Sequence, residues 1–189
     1  GHDFMPNKYV FPGGKVDAPD GRAPAHAELT DSEAQPLRYQ SRRAPRAFAL
    51  TAVRETFEET GLIIGRSGSH VGHAPPGWAA YLAHDVLPDL STFTFIGRAV
   101  TPPYRHKRFD ARFFMADAET ALIDDRPPVE GAELGHLHWV DLDDAQKLDL
   151  PSVTRFMLGE IGERLDHPQR ALKPPFLRWN RAGHRMDRI

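Results

Sequence analysis

No cysteine occurs among the 189 residues. That absence excludes a disulfide framework, thiolate metal sites and a cysteine nucleophile, and it leaves hard, oxygen-ligated cations as the metals to look for. Long hydrophobic runs are also missing. No apolar stretch reaches the ~18 residues of a membrane span, and the longest are strand-like, so neither a membrane partner nor an intact secretory signal is expected. Charge of one sign is lacking as well: 24 Lys and Arg stand against 26 Asp and Glu, a formal net charge of -2. Nothing global therefore points to nucleic-acid binding. No repeat and no heptad series is visible. The expectation is a cytoplasmic chain in a reducing setting, long enough to bury a sizeable core as one domain. Its opening on Gly1 and His2, close before a glycine turn, is expected to reflect a missing natural start, with one strand preceding residue 1.

Glycine and proline punctuate what is present. Lys8 to Phe11 reads as a short strand ending in the Pro12-Gly13-Gly14 turn. From Asp17 to about Arg46 the text is rich in Pro, Ala, Asp and Arg, a surface excursion with a short helix around Ala23 to Leu29. The strongest helix signal runs from about Arg46 to Thr60, with Pro45 near its first turn, Gly61 as its breaker, and Leu50, Val53 and Phe57 along one side. Leu62 to Ile64 resemble a short strand, and Gly77 to Asp85 a short helix. Thr92 to Val100 and Arg108 to Met115 read as paired strands, and His136 to Val140 as another. Asp141 to Ala145 is a turn or helical start, Ser152 to Leu165 a helix, and the proline-rich, aromatic tail is expected to pack on the domain or a partner.

The chemistry concentrates in Arg54-Glu55-Thr56-Phe57-Glu58-Glu59-Thr60-Gly61. Glu55 lies three residues before Glu58 and four before Glu59, so the carboxylates share a helix face, with Arg54 four residues before Glu58. Carboxylates converging on one point repel unless a cation sits among them or one takes a proton. The plain alternative is a solvated acidic helix steadied by Arg54.

Together with Phe11-Pro12-Gly13-Gly14, this segment resembles the two halves of the Nudix hydrolase box, Gly14 matching its opening glycine and Gly61-Leu62 its end. The resemblance implies an α/β (α+β) fold with a mixed sheet sandwiched between helices. Its domain would cover 1–167, with an insertion at about 17–45, leaving 168–189 as the tail. It implies Mg2+ or Mn2+ held by Glu58 and Glu59 and the backbone carbonyl of Gly13, with Glu55 a further ligand or an aid to water activation, and Arg54 orienting the glutamates. Two departures stand out. With the insertion placed wholly upstream, the position eight before Arg54, where the family carries a glutamate that pairs with the box arginine, holds Arg46, and Asp17, Glu28, Asp31 and Glu33 are the loop residues available to replace it. Thr56 stands where a hydrophobic residue is usual. For a later acidic residue the candidates are Glu130 and Glu133, with Glu133 favoured, although either also reads as an ordinary loop charge.

Tyr104-Arg105-His106-Lys107-Arg108 places basic side chains beside an aromatic ring, which suits a phosphorylated ligand with a base to contact; a solvated hairpin loop is the plain alternative. The run onward to Phe114 resembles a Nudix subgroup that includes a peroxisomal coenzyme A diphosphatase. That implies a small nucleotide-type substrate, coenzyme A or an acyl derivative, with ADP-ribose or another nucleotide sugar and a noncatalytic metabolite-binding domain as alternatives. The resemblance and the aromatic tail also point to a homodimer. Trp139, alternating with Leu137, reads as core; Trp78 as a pocket lining; Trp179 as a surface seal. The histidines lack a tetrahedral-zinc spacing.

Overall fold

Pro45 and Gly61 bound the longest helix of the chain. In the computed structural model, which describes residues 8–129, 135–180 and 183–189, this helix spans Pro45–Thr60 and closes on Gly61. With φ 71° the glycine adopts the left-handed conformation and returns its N–H to the Phe57 carbonyl. In chain order the elements are α1 (Asp31–Arg38), α2 (Pro45–Thr60), β1 (Arg66–Ser67), α3 (Ala79–Leu82), β2 (Val86–Leu87), β3 (Thr94–Val100), β4 (Asp110–Met115), α4 (Ala118–Ala121), α5 (Leu142–Ala145), α6 (Ser152–Asp166), β5 (Pro175–Asn180) and β6 (Gly183–Arg188), with 3-10 turns at Asp20–Arg22 and Leu90–Thr92. Residues divide into two compact units, one made of Pro12–Thr94 with Ala116–His138, the other of the remainder.

The first unit is built around α2. Leu50 and Val53 are fully buried, and Phe57 sets its ring edge against Tyr81 at 5.5 Å. Tyr81 in turn donates its hydroxyl to the Ile64 carbonyl at 2.7 Å, and burial pushes its pKa up. β1 and β2 form a two-stranded antiparallel ladder, and Ile64 makes a single bridge to Leu122 in place of the strand expected at Leu62 to Ile64. The inserted segment departs furthest from its reading as a surface excursion. Its helix lies at α1 rather than Ala23 to Leu29, and Ala23, Ala34 and Leu37 are buried. Small and aliphatic side chains spaced through this polar text are enough to bring it into the core against α2.

In the second unit a mixed sheet runs in the order β4-β3-β5-β6. β5 pairs parallel to β3, Arg98 opposite Phe176, and antiparallel to β6. Ile96, Ala99 and Met157 of α6 form a core joined by Val153, Phe156 and Phe113. Gly97 permits this packing, since a Cβ there would lie 3.0 Å from both Met157 Sδ and Pro175 Cγ. The C-terminal hairpin is fastened to α6 by Glu160, whose carboxylate accepts from Arg188 at 2.6 and 2.8 Å and from Arg164 at 3.1 Å. Two strand expectations fail in this region. Lys8 to Phe11 carries no ladder, and Tyr9 instead donates its N–H to the Asp149 carbonyl at 3.1 Å. His136 to Val140 is irregular, because His136 sits at φ 59°, outside strand geometry. Trp139, read as core, is 67% exposed. A brief alternation of apolar residues does not bury a side chain that has no ladder to hold it.

Candidate active site

Helix geometry puts Arg54, Glu55 and Glu58 into one network. The Arg54 guanidinium is buried, and it holds Glu58 Oε2 at 2.7 Å through Nη1 and Glu55 Oε1 at 2.8 Å through Nη2. Its remaining partners follow the glycine turn: Nε donates to Asp20 Oδ1 at 2.9 Å, and Nη2 to Asp20 Oδ2 at 3.1 Å and to the Lys15 carbonyl at 3.2 Å. Burial disfavours a charged guanidinium, but the Asp20 hydrogen bonds and the Glu55 charge outweigh it and raise its pKa.

Asp20 is therefore the pairing carboxylate that the motif appeared to lack. It is fully buried. Trp78 donates its indole N–H to Oδ1 at 3.1 Å, the Asp17 N–H reaches Oδ2 at 2.9 Å, and the Thr51 hydroxyl, shared with the Ala47 carbonyl, lies 2.7 Å from Oδ2. Burial pushes the Asp20 carboxyl up, yet the hydrogen bonds from Arg54, Thr51 and the Asp17 backbone, with the Arg54 charge, hold it below the ordinary carboxylate range. None of the four anticipated substitutes takes this place. Asp17 stands 3.9 Å from Arg54 and is mostly exposed, Glu28 pairs with Arg46 at 2.9 Å, and Asp31 and Glu33 lie in the first turn of α1. Arg46 itself is on α2, eight residues or about 12 Å of helix from Arg54, too far to replace a contacting carboxylate.

The glycine turn meets the same helix. Gly13 donates its N–H to Glu59 Oε2 at 2.8 Å, and Glu59 is buried. A Cβ on Gly14 would run into the Glu55 carboxylate, so this position must be glycine for Glu55 to stay where it is. Burial raises the Glu55 pKa; Arg54 works against that, while the charges of Glu58 and Asp20 reinforce it.

Three carboxylates thus bear on one guanidinium, and Glu59 adds a fourth on the same helix. Glu55, Glu58 and Glu59 are hard oxygen donors of the kind a divalent cation such as Mg2+ takes. Among the described residues no three acidic or histidine side chains converge as a metal cluster; Arg54 holds Glu55 and Glu58, and the Gly13 N–H meets Glu59.

Tyr104, Arg105, Lys107 and Arg108 are exposed in the turn joining β3 to β4. Tyr104 stands edge-on to Trp179 at 5.2 Å, and the Arg105 guanidinium lies 5.9 Å from the Tyr104 ring centre. Arg108 makes a long contact of 3.4 Å to the Thr101 carbonyl. Asp110 pairs with Arg98 at 2.7 Å and with Arg112 at 2.9 Å. Trp78, expected to line a pocket, is fully buried against Asp20. Glu130 and Glu133 lie outside the described residues.

No family model matches this chain. In an alignment 152 positions long, covering 73% of this chain, it is 28% identical to the Caenorhabditis elegans protein "Putative nudix hydrolase 7", and it spans 42% of that relative's length. A crystal structure of a NUDIX hydrolase from Alicyclobacillus acidocaldarius superposes with a TM-score of 0.59 at 28% sequence identity, covering 84% of this chain and 77% of that one.

Proposed function

Starting from homology to Nudix hydrolases, we propose that this chain hydrolyses the diphosphate link of a nucleotide-type substrate by attack of water at phosphorus. The observation that carries the reading is the arrangement on α2: Glu55 and Glu58 gathered by a buried Arg54, and Glu59 strapped to the Gly13 turn. Glu58 and Glu59, with the Gly13 carbonyl, are the groups to hold a divalent cation, Mg2+ or Mn2+. When bound, such an ion neutralises phosphate oxygens and acidifies water. Glu55 is a further ligand or takes the proton of the attacking water at its carboxylate, a role that suits the proton affinity burial gives it. Arg54 keeps Glu55 and Glu58 from drifting apart by holding both. A noncatalytic metabolite-binding domain is the alternative reading; specific ligand binding without turnover in the assay below is its signature.

The proposed substrate is coenzyme A or an acyl derivative, its additional phosphate taken by Arg105, Lys107 or Arg108 and its base by Tyr104. The exposure of these side chains and the Tyr104 pairing with Trp179 support this assignment. The test is a metal-dependent product assay on coenzyme A, its 3'-dephosphorylated form, ADP-ribose and nucleoside diphosphate sugars. Glu58→Gln is expected to lower kcat by roughly 100-fold or more with the fold intact, as for loss of a group acting directly on transition-state charge. Loss of one charge-assisted phosphate contact, through Arg105→Ala, Lys107→Ala or Arg108→Ala, should cost about 1.5 to 3 kcal/mol against coenzyme A and spare the dephosphorylated form. A well-folded, metal-replete parent that cleaves nothing in the panel defeats the hydrolase reading. Equal use of both coenzyme A forms, unchanged in the three variants, defeats the substrate assignment alone.

A further inference from the structure

β6 closes one side of the mixed sheet, and among the described residues its ladder partner is β5 alone. The register between them runs without a bulge from Pro175 opposite Arg188 to Asn180 opposite Gly183, and one step beyond it Ile189 donates its N–H to the Pro174 carbonyl at 3.0 Å. Hydrogen-bonded and non-bonded pairs alternate along an antiparallel ladder. Asp187, Arg185 and Gly183 therefore turn their backbone groups towards β5, as Ile189 does, while Arg188, Met186 and His184 turn theirs outwards. Such an edge is a template for another strand, and proteins blunt it with proline, lysine, bulges or very short strands. Gly183–Arg188 uses none of these.

Its charges are instead arranged as their own complement. Two β6 strands paired antiparallel about Met186 bring the outward-turned residues into hydrogen-bonded pairs along the whole strand. The same register sets Arg185 of each copy opposite the partner's Asp187, at non-hydrogen-bonded positions where facing side chains stand closest. Centring the pair one residue earlier sets Arg185 against Arg185, and one residue later Asp187 against Asp187, like charges directly opposed. Within one copy Asp187 Oδ2 is held by Arg178 at 2.7 Å and Oδ1 by the half-exposed Arg185 at 2.8 Å. Oδ1 can thus pass to the partner's Arg185 while Arg178 keeps the carboxylate in place. On the other face Met186, 50% exposed and opposite Leu177, meets its own counterpart at the axis and covers apolar surface.

We propose that the outer edge of β6 is the surface on which two copies of this chain associate, antiparallel and centred on Met186, joining their sheets into one. In the full chain, the parent, Met186→Pro and Arg185→Asp are compared by sedimentation over a concentration series and by thermal midpoint. The parent is expected to be a reversible dimer. Met186→Pro removes an outward N–H and no bond to β5, so it should be monomeric with a midpoint within a few degrees of the parent's. Arg185→Asp turns both cross-strand pairs into like charges and should weaken association by about 10-fold or more; this exposed position carries the comparison if Met186→Pro does not fold. Because the chain has no cysteine, single thiols report the register. Met186→Cys should crosslink on mild oxidation, its two copies being about 5.5 Å apart at Cα. Arg185→Cys should not, since its copies are offset by two residues, about 7 Å along the strand alone. The proposal is overturned by a parent that stays monomeric throughout the series, by a dimer undiminished in both Met186→Pro and Arg185→Asp, or by Arg185→Cys crosslinking as readily as Met186→Cys.

Discussion

At the scale of single residues, the site is governed by where carboxylates are held rather than by how many there are. Gly14 illustrates this. Its missing Cβ leaves the space the Glu55 carboxylate occupies, and the atom it would strike is the far end of a flexible side chain. Gly14→Ala should therefore displace Glu55 more than it unfolds the protein. The expected outcome is a kcat reduced by about 10-fold or more with a thermal midpoint within a few degrees of the parent, measured by steady-state assay and melting on the same preparation. Glu55, Glu58 and Glu59 could be picked out of the sequence because their mutual geometry is local, fixed by three- and four-residue steps along a helix. Asp20 could not. Its partners Arg54 and Trp78 lie 34 and 58 positions away, and the Pro-Asp-Gly text around it reads only as a turn. Burial made the choice among the acidic residues of the insertion, and burial of a carboxylate in a polar segment leaves no periodic trace.

At the scale of elements, α2 was legible because both of its ends are marked by residues with their own conformational demands, Pro45 and Gly61. α6 came through for a similar reason, its apolar Val153, Met157 and Ile161 keeping helical spacing before the chain meets Pro168. The strand expected at His136 to Val140 had only alternation in its favour, and a left-handed His136 ended it. β5 and β6 were hidden by the prolines and charges that open and line them; pairing with β3 and the clamp of Glu160 on Arg188 override that weak local signal. The tightness of the β3 face against α6 has a measurable consequence. Gly97→Ala must displace both Met157 and Pro175, and overpacking of this kind costs about 1 to 3 kcal/mol. Urea denaturation should show the loss as a lower midpoint with an unchanged slope.

At the scale of the whole molecule, carboxylates paired with arginines shape how the protein meets low pH. Asp20, Asp110 and Glu160 are each raised by burial but brought below the ordinary carboxylate range by arginine partners, Arg54, Arg98 with Arg112, and Arg188 with Arg164. The folded chain binds protons at these groups more weakly than the unfolded chain does. Their stabilisation is complete above the unfolded carboxyl range, at about pH 4 to 5, and is lost as pH falls through the lower folded values. The thermal midpoint should thus hold near neutrality and fall steeply below about pH 4. Glu160→Gln should flatten that fall, which melting curves from pH 7 to pH 3 would show, whereas an acid limb as steep as the parent's would exclude Glu160 from it. No helix among the described residues is long and apolar enough to cross a membrane. Self-association into a dimer is a proposal for sedimentation measurements, with the β6 edge as the first surface to vary and the Tyr104 and Trp179 face as the second.

Trp78 has an optical consequence. Of the three tryptophans, it is fully buried with its indole N–H on the Asp20 carboxylate, whereas Trp139 is largely in water. Indole emission depends on solvent and on nearby charge, so these two rings emit differently. Replacing Trp139 and Trp179 with phenylalanine leaves a single tryptophan, excited apart from the four tyrosines at the red edge of the absorption band and seated on the joint between insertion and helix. Its colour then tracks whether that joint is made, with no label attached, during unfolding, on acidification or as a cation arrives at the glutamates.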